Sequence, residues 1–189
     1  MKKILLDYTL RIRIPIIIIV VLISFLATYI ASRAERNDVG YSPVQPIAFS
    51  HTLHAGTMHI DCQYCHSSVT SSPHANVPAV SVCMNCHTIA RKDKPEIIKL
   101  KKYYDAGIAL PWKRVHRLPD FVYFNHSVHV NSGLDCVNCH GDVASMDGDR
   151  QVVEFTMAAC LNCHRNAHTV LASVPGVQNG PDNCWTCHR

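Results

Sequence analysis

The sequence predicts a single N-terminal transmembrane helix, followed by a domain of short helices and loops with little β structure. Three features support this fold class: an apolar run near the N-terminus, ten cysteines and thirteen histidines among 189 residues, and a formal net charge of only +4. Ordinary disorder is excluded, because 48% of the residues are hydrophobic. Many cysteines in a short chain usually indicate disulfides, but disulfides require no histidine. The histidine excess therefore favours a different chemistry.

The apolar run covers residues 14–31 without a charged side chain. At about 1.5 Å per residue these eighteen residues span roughly 27 Å as a helix, close to the thickness of a hydrocarbon core. Pro15 falls in the first turn, where a missing N–H is tolerated. The positive-inside rule places the cations before the run in the cytoplasm. These cations are Lys2, Lys3, Arg11 and Arg13.

This pattern predicts a membrane anchor over residues 1–31 in the cytoplasmic membrane, single-pass, with all later residues on the periplasmic side. The alternative is a signal peptide cleaved near the small residues at 32–34, although the apolar run is long for one. Residues 32–48 contain prolines, glycine and polar residues, so we expect a linker there.

The ten cysteines form five C-x-x-C pairs, and each pair is followed directly by histidine. This C-x-x-C-H pattern is typical of covalent haem c attachment. Two thiols add to the two vinyl groups of one porphyrin, and the imidazole of the next residue ligates the iron. Zinc sites also use C-x-x-C pairs, but they require no histidine at the next position. The predicted attachment residues are Cys62, Cys65, Cys83, Cys86, Cys136, Cys139, Cys160, Cys163, Cys184 and Cys187, and the proximal iron ligands are His66, His87, His140, His164 and His188.

Five haem c groups dominate the predicted architecture of residues 49–189. The chain beyond the anchor offers about 31 residues per haem, too few for a separate protein core, so we expect a haem-packed multihaem cytochrome domain. Aromatic residues expected to pack on the haems are Trp112, Phe121, Phe124 and Trp185. The predicted parts are diheme units at 49–87 and 124–164, a helical insert at 88–120 with a helix over 95–107, and a fifth haem at 180–189.

Candidates for the second axial ligand are His51, His54, His74, His116, His126, His129 and Met146. These are enough ligands to close every iron, which favours electron transfer over substrate binding at a haem, and no catalytic residue is predicted. His74 and Met146 take similar positions between the paired motifs. We therefore expect His74 on the second haem and Met146 on the fourth, with Met157 as a rival for the fourth.

The repeated F-x-H-x-x-H…C-x-x-C-H arrangement begins at Phe49 and Phe124 and resembles the class III multihaem cytochromes of the cytochrome c3 and c7 type. In that family the first histidine of the pair ligates the haem attached just downstream, and the second reaches a different haem. The resemblance implies His51 as a ligand of the first haem and His126 as a ligand of the third. His54 and His129 would serve other haems.

Residues 45–56, 61–66, 111–126 and 155–157 look like the pentahaem cytochrome subunit of alternative complex III. That resemblance implies an electron-transfer subunit, not an enzyme on its own, that relays electrons from quinol oxidation to a periplasmic acceptor such as a cytochrome c. The implied partners are an iron–sulfur subunit of molybdopterin-enzyme type, quinol-binding integral membrane subunits, a monohaem cytochrome c subunit and a soluble electron acceptor. No nucleic acid is implied.

Two other functions stay open. One is a membrane-anchored quinol dehydrogenase of the NapC/NirT type, which would bind quinol itself and feed a periplasmic reductase. The other is an enzyme with one haem open to nitrogen or sulfur oxyanions, which would need an iron without a second protein ligand.

Overall fold

A computed structural model describes residues 6–36 and 38–188 of the chain. The chain divides into two compact units between Asp38 and Val39. Lys2 and Lys3, two of the cations that predict the membrane orientation, lie outside the described residues.

The N-terminal unit is helical from residue 6 to residue 36. A π-helical turn at Thr9–Arg13 leads directly into helix α1, Ile14–Arg36. In the described part of the chain, Leu6–Ala31 is the one helix long and apolar enough to cross a membrane, with a mean hydropathy of 2.8. Its length and composition suit a membrane anchor and equally suit a signal sequence. The predicted N-terminal helix is therefore confirmed as a helix.

The second unit consists of short helices and loops, and residues 38–188 contain no strand, as the fold class predicts. Its α-helices are α2 (Cys62–Cys65), α3 (Val80–His87), α4 (Pro95–Asp105), α5 (His126–Asn131), α6 (Val137–His140), α7 (Met157–Arg165), α8 (Ala167–Val170) and α9 (Cys184–Cys187). A π-helical turn at Thr52–Thr57 and a 3-10 turn at Val143–Ser145 lie between them. The longest of these helices, α4, has only 11 residues. Isolated helices of this length are marginal, so tertiary contacts must hold them in place.

The apolar core of the second unit is small. Its main cluster joins α3 and α4 to two loop residues and consists of Ile47, Val80, Met84, Leu100 and Leu110. None of the described side chains is completely buried. A domain with so little apolar burial needs another source of stability, which agrees with the predicted haem-packed interior.

Helix α4 is the predicted helix of the insert, and its ends have the expected chemistry. Pro95 occupies its first position, and the Glu96 carboxylate accepts a hydrogen bond of 2.8 Å from the Ala48 main-chain N–H. The helix ends at Asp105, and Gly107 follows with φ of +65°, a left-handed conformation that glycine adopts readily. The bond to Ala48 ties this helix to the segment that precedes the first histidine pair.

The segment predicted as a linker, 32–48, differs from a free tether. Its first residues continue α1 as far as Arg36. Further along, the Gln45 side chain donates to the Lys113 carbonyl at 2.9 Å and accepts from the Lys113 N–H at 2.8 Å. A polar residue that predicts a loop can also pair with a distant main chain, and here both partners of the pairing belong to the second unit.

Candidate haem sites

Each of the five C-x-x-C-H motifs forms a helical turn, so its two sulfur atoms lie on one side of that turn. In the first, third and fifth motifs the histidine N–H donates to the carbonyl of the first cysteine at 2.9 Å. No disulfide joins any of the ten cysteines, and each is at least partly exposed. This arrangement suits thioether attachment of one porphyrin at each turn.

The two F-x-H-x-x-H segments have the same local geometry. In the first, the Phe49 ring stacks on His54 at 4.4 Å between centroids and meets His51 edge-on at 4.9 Å. In the second, the corresponding distances from Phe124 are 4.4 and 4.8 Å. The repeat in the sequence is therefore also a repeat in the structure.

In each segment, the residue before the first histidine orients the ring of the second histidine through a hydrogen bond to its main-chain carbonyl. Nδ1 of His54 donates to the Ser50 carbonyl at 2.8 Å, and Nδ1 of His129 donates to the Asn125 carbonyl at 2.7 Å. The side chains of Ser50 and Asn125 also accept a main-chain N–H from the following turn. With Nδ1 as the donor, Nε2 is left as the nitrogen that can bind iron. Sequence reasoning missed these two residues, although serine and asparagine are typical of a helix start.

Three imidazoles of these segments lie near motif histidines, and the distances between the ring centres would accommodate one iron atom between the two rings of each pair. With a metal–nitrogen bond of about 2.0 Å, two imidazoles on opposite sides of one metal have ring centres roughly 6 Å apart. The facing pairs are His54 with His87 at 6.2 Å, His126 with His140 at 6.5 Å, and His129 with His164 at 6.0 Å. The residues present therefore fit axially ligated haem at the second, third and fourth motifs.

At the first motif, His51 is a half-buried imidazole near His66. Burial lowers the pKa of His51, the Asp149 carboxylate opposes that shift, and the neighbouring His66 and His54 lower the pKa further. A neutral ring at pH 7 is the form that binds a metal. Its Nδ1 is buried and has no hydrogen-bond partner among the described residues.

The structure differs from the sequence in the partners of the second and fourth motifs. The sequence predicts His74 and Met146 for these positions, whereas His54 and His129 face the motif histidines there. Met146 is only 4% exposed, and its carbonyl accepts from the Thr52 N–H at 3.1 Å. The position of a residue between two motifs therefore predicts an iron ligand less well than the i, i+3 spacing of the paired histidines. That spacing lets two rings of one helical turn reach two different motifs.

His116 lies beside the motif histidine His140, with the two rings edge-on, whereas the sequence predicts His116 as a candidate distal ligand. Its Nε2 is 3.2 Å from Nδ1 of His140. Burial lowers the pKa of His140 to about 4, with His116 adding to the effect, and burial also lowers the pKa of His116. Both rings are therefore neutral at pH 7 and can form a neutral hydrogen bond.

The fifth motif has aromatic neighbours. Nδ1 of His188 donates to the Phe121 carbonyl at 3.2 Å, and the Phe121 ring stacks on His188 at 5.8 Å. Trp185 is 78% exposed. Trp112, by contrast, packs at the edge of the apolar cluster, so protein contacts cover at least part of this predicted haem-packing ring.

Contacts join the first motif to both the second and the third. Asn85 in the second motif donates to the Tyr64 hydroxyl in the first at 3.1 Å. Burial raises the pKa of the Cys136 thiol in the third motif, and the nearby Cys62 of the first motif raises it further. The first motif therefore lies between the second and the third.

Further contacts join the third motif to the fourth and the fourth to the fifth. Burial raises the pKa of the Cys139 thiol, and the nearby Cys163 of the fourth motif raises it further. Arg165, directly after the fourth motif, pairs with Asp182 before the fifth at 3.0 Å. Neighbouring motifs thus follow the order second, first, third, fourth, fifth, which differs from their order along the chain.

Comparison with known proteins agrees with the attachment chemistry. The family described as cytochrome c7 and related cytochrome c matches residues 122–189, and the class III cytochrome C family matches residues 27–107. The chain is also similar to a protein of Nitratidesulfovibrio vulgaris named menaquinone reductase, multiheme cytochrome c subunit. The two are 28% identical over 166 residues, which cover 77% of either chain.

The two family matches fall on the two repeated units, and each repeat carries paired histidines and C-x-x-C-H turns. Two separate parts of the chain therefore indicate the same cofactor and the same kind of protein. The chain is a multihaem c-type cytochrome, an electron-transfer protein similar to the class III and cytochrome c7 families.

Proposed function

We propose that the chain relays electrons through five covalently bound haems, as the pentahaem cytochrome subunit of a quinol-oxidising membrane complex of the alternative complex III type. The observation that carries this proposal is the set of facing imidazole pairs, because an iron with two protein ligands has no open position for a substrate. Each bound haem supplies one-electron redox chemistry, and the chain supplies attachment, axial ligands and spacing.

The proposed ligand sets follow from the distances between ring centres at the second, third and fourth motifs and, at the first motif, from the place of His51 in the repeated histidine pair and the effect of His66 on its pKa. The ten motif cysteines would hold the five porphyrins. The axial pairs would be His51 with His66, His54 with His87, His126 with His140 and His129 with His164, while His188 would be the proximal ligand of the fifth haem. His74, Met146 and His116 would then not be distal ligands at these four sites.

We further propose that electrons pass through the haems in the order second, first, third, fourth, fifth, or in the reverse order. The hydrogen bond from Asn85 to Tyr64 and the nearness of Cys62 to Cys136 support this order, because the first motif then has both the second and the third as neighbours. The two ends of the relay would be the second haem, beside the apolar cluster, and the fifth.

Removal of an inner haem tests this order. Serine at both Cys62 and Cys65 should remove the first haem and isolate the second, which would then be reduced more slowly than the other three by a donor entering at the fifth. The matched control places serine at both Cys83 and Cys86, which should remove the second haem at the far end of the relay and leave four connected haems. Uniform reduction in the first variant, measured by stopped-flow absorbance, would contradict the proposed order.

The proposed location is the cytoplasmic membrane, with α1 as an anchor and the haem domain on the periplasmic side. The apolar segment Leu6–Ala31 and the periplasmic chemistry of haem c attachment support this location. The proposed partners are an iron–sulfur subunit of molybdopterin-enzyme type, quinol-binding membrane subunits, a monohaem cytochrome c and a soluble acceptor.

A second direction of electron flow has its own support. The similar protein of Nitratidesulfovibrio vulgaris is named as a menaquinone reductase subunit, so the same relay could instead deliver electrons to a quinone. Electron-transfer assays on the intact complex, purified in mild detergent, distinguish the two directions of electron flow. Haem reduction by menaquinol, followed by electron transfer to a c-type cytochrome, supports quinol oxidation, whereas quinone reduction by a reduced cytochrome supports the opposite direction.

The same preparation tests the alternative function, in which the chain is itself a quinol dehydrogenase of the NapC/NirT type. If the chain purifies alone and oxidises menaquinol without other subunits, the proposal of a relay within a larger complex is wrong. We expect instead that the chain co-purifies with membrane subunits and that the isolated chain does not oxidise quinol.

A further inference from the structure

One motif histidine has a different hydrogen-bond acceptor from the other four. Nδ1 of four motif histidines donates to a main-chain carbonyl: His66 to Asn76 at 2.6 Å, His87 to Ala90 at 3.0 Å, His164 to Pro181 at 2.6 Å and His188 to Phe121 at 3.2 Å. His140 is the exception, because its Nδ1 meets Nε2 of His116 at 3.2 Å. A side chain can be changed without altering the main chain, so this contact can be tested directly.

The nitrogen that carries the proton in each ring follows from the iron bond and the hydrogen bond that the ring would make. If His140 binds iron through Nε2, its proton must lie on Nδ1, and Nε2 of His116 must then accept that proton in a hydrogen bond. The proton of His116 then lies on its own Nδ1, which is 3.7 Å from Oδ2 of Asp149. At that distance the carboxylate acts through its charge rather than by a direct hydrogen bond, and it favours this tautomer.

The surroundings hold His116 in place. Its ring lies edge-on to His140 at 4.4 Å and also contacts the Phe155 ring at 6.1 Å. Its carbonyl accepts a hydrogen bond from Nε of Arg114 at 3.0 Å. The side chains of His116 and Asp149 are 21% and 27% exposed, so solvent screens their interaction only in part.

We propose that His116 is a positioning residue for the third haem, which holds the His140 imidazole in one tautomer and one orientation and lowers the reduction potential of that haem. An acceptor on the proximal imidazole makes the ring a stronger electron donor, and stronger donation stabilises ferric iron. This inference rests on the five-haem relay proposed above, in which the third haem is the central one. A side-chain acceptor at the centre would set one potential independently of the other four.

The test compares two substitutions of His116 in the full-length protein within its complex. His116→Leu removes the acceptor, and His116→Gln keeps one as an amide oxygen. We expect His116→Leu to shift the oxidation equilibrium of the third haem roughly tenfold towards ferrous iron, a rise of about 59 mV for one electron. Its ferric electron paramagnetic resonance (EPR) signal should also change, because the imidazole can rotate. His116→Gln should restore at least half of the potential shift.

The third haem is identified as the signal lost when Cys136 and Cys139 are both replaced by serine. His168→Leu is the matched control, because His168 is exposed and we expect all five potentials to stay unchanged. Unchanged potential and EPR signal of the third haem in His116→Leu would overturn the inference, as would a new high-spin haem, which would make His116 an axial ligand. Absence of haem from the third motif in the unmodified protein would instead overturn the five-haem relay itself.

Discussion

Replacement of His54 by alanine is the sharpest test of the axial pairing. His54 faces His87 at 6.2 Å, so its loss should open the iron of the second haem and no other. About one fifth of the ferric haem should then become high-spin, since one of five irons loses a strong ligand. The side chain also donates to the Ser50 carbonyl at 2.8 Å and stacks on Phe49 at 4.4 Å. Loss of these two contacts should lower the free energy of unfolding by about 1–3 kcal/mol.

The assay is EPR together with magnetic circular dichroism of the oxidised protein, with haem content measured in parallel. The matched variant is His74→Ala, which changes the residue that position between motifs predicts for the same haem. We expect the His74 variant to keep the spin states of the unmodified protein. The reasoning is refuted if His54→Ala leaves all spin states unchanged while His74→Ala converts one further haem to high-spin.

Three other substitutions extend the test. His51→Ala should convert only the first haem to high-spin, and a change at the third haem instead would contradict this. Met146→Ala should lower the unfolding free energy by about 2–5 kcal/mol through an unfilled cavity, because the side chain is 4% exposed. Spin states should not change, and a high-spin haem would restore methionine as a ligand. Gly180→Ala would place a Cβ 2.6 Å from Cγ of His164, so it should alter the EPR signal of the fourth haem. Gly148→Ala, whose nearest atom is the Ser42 hydroxyl oxygen at 3.5 Å, is the control and should alter none.

The chemistry of attachment could be predicted from the sequence because it is local. Two cysteines, one turn and the next histidine form a unit whose spacing follows from the cofactor, and all five units form helical turns in the structure. Helix α4 was also predictable, because Pro95 and Gly107 mark its two ends. In such cases the residues that determine the structure are neighbours in the chain.

The histidines that lie near each motif histidine were harder to predict because their positions depend on the fold. His54 and His87 are 33 positions apart in the sequence, and nothing between them fixes the direction of either ring. The contact between His116 and His140 depends on the insert and the second repeat lying together, which no spacing rule describes. Chain order likewise suggests that the second and third haems are neighbours, whereas the contact between Cys136 and Cys62 joins the first and third motifs.

The small apolar cluster has a consequence for the life of the protein in the cell. An apolar cluster of five buried side chains gives a newly synthesised polypeptide little to fold around, so the chain before cofactor attachment should be open to proteases. The protein would then accumulate only as fast as the cell can deliver and ligate haem. Its abundance would follow haem supply without a separate sensor, because unfinished copies would be degraded before they could join a partner.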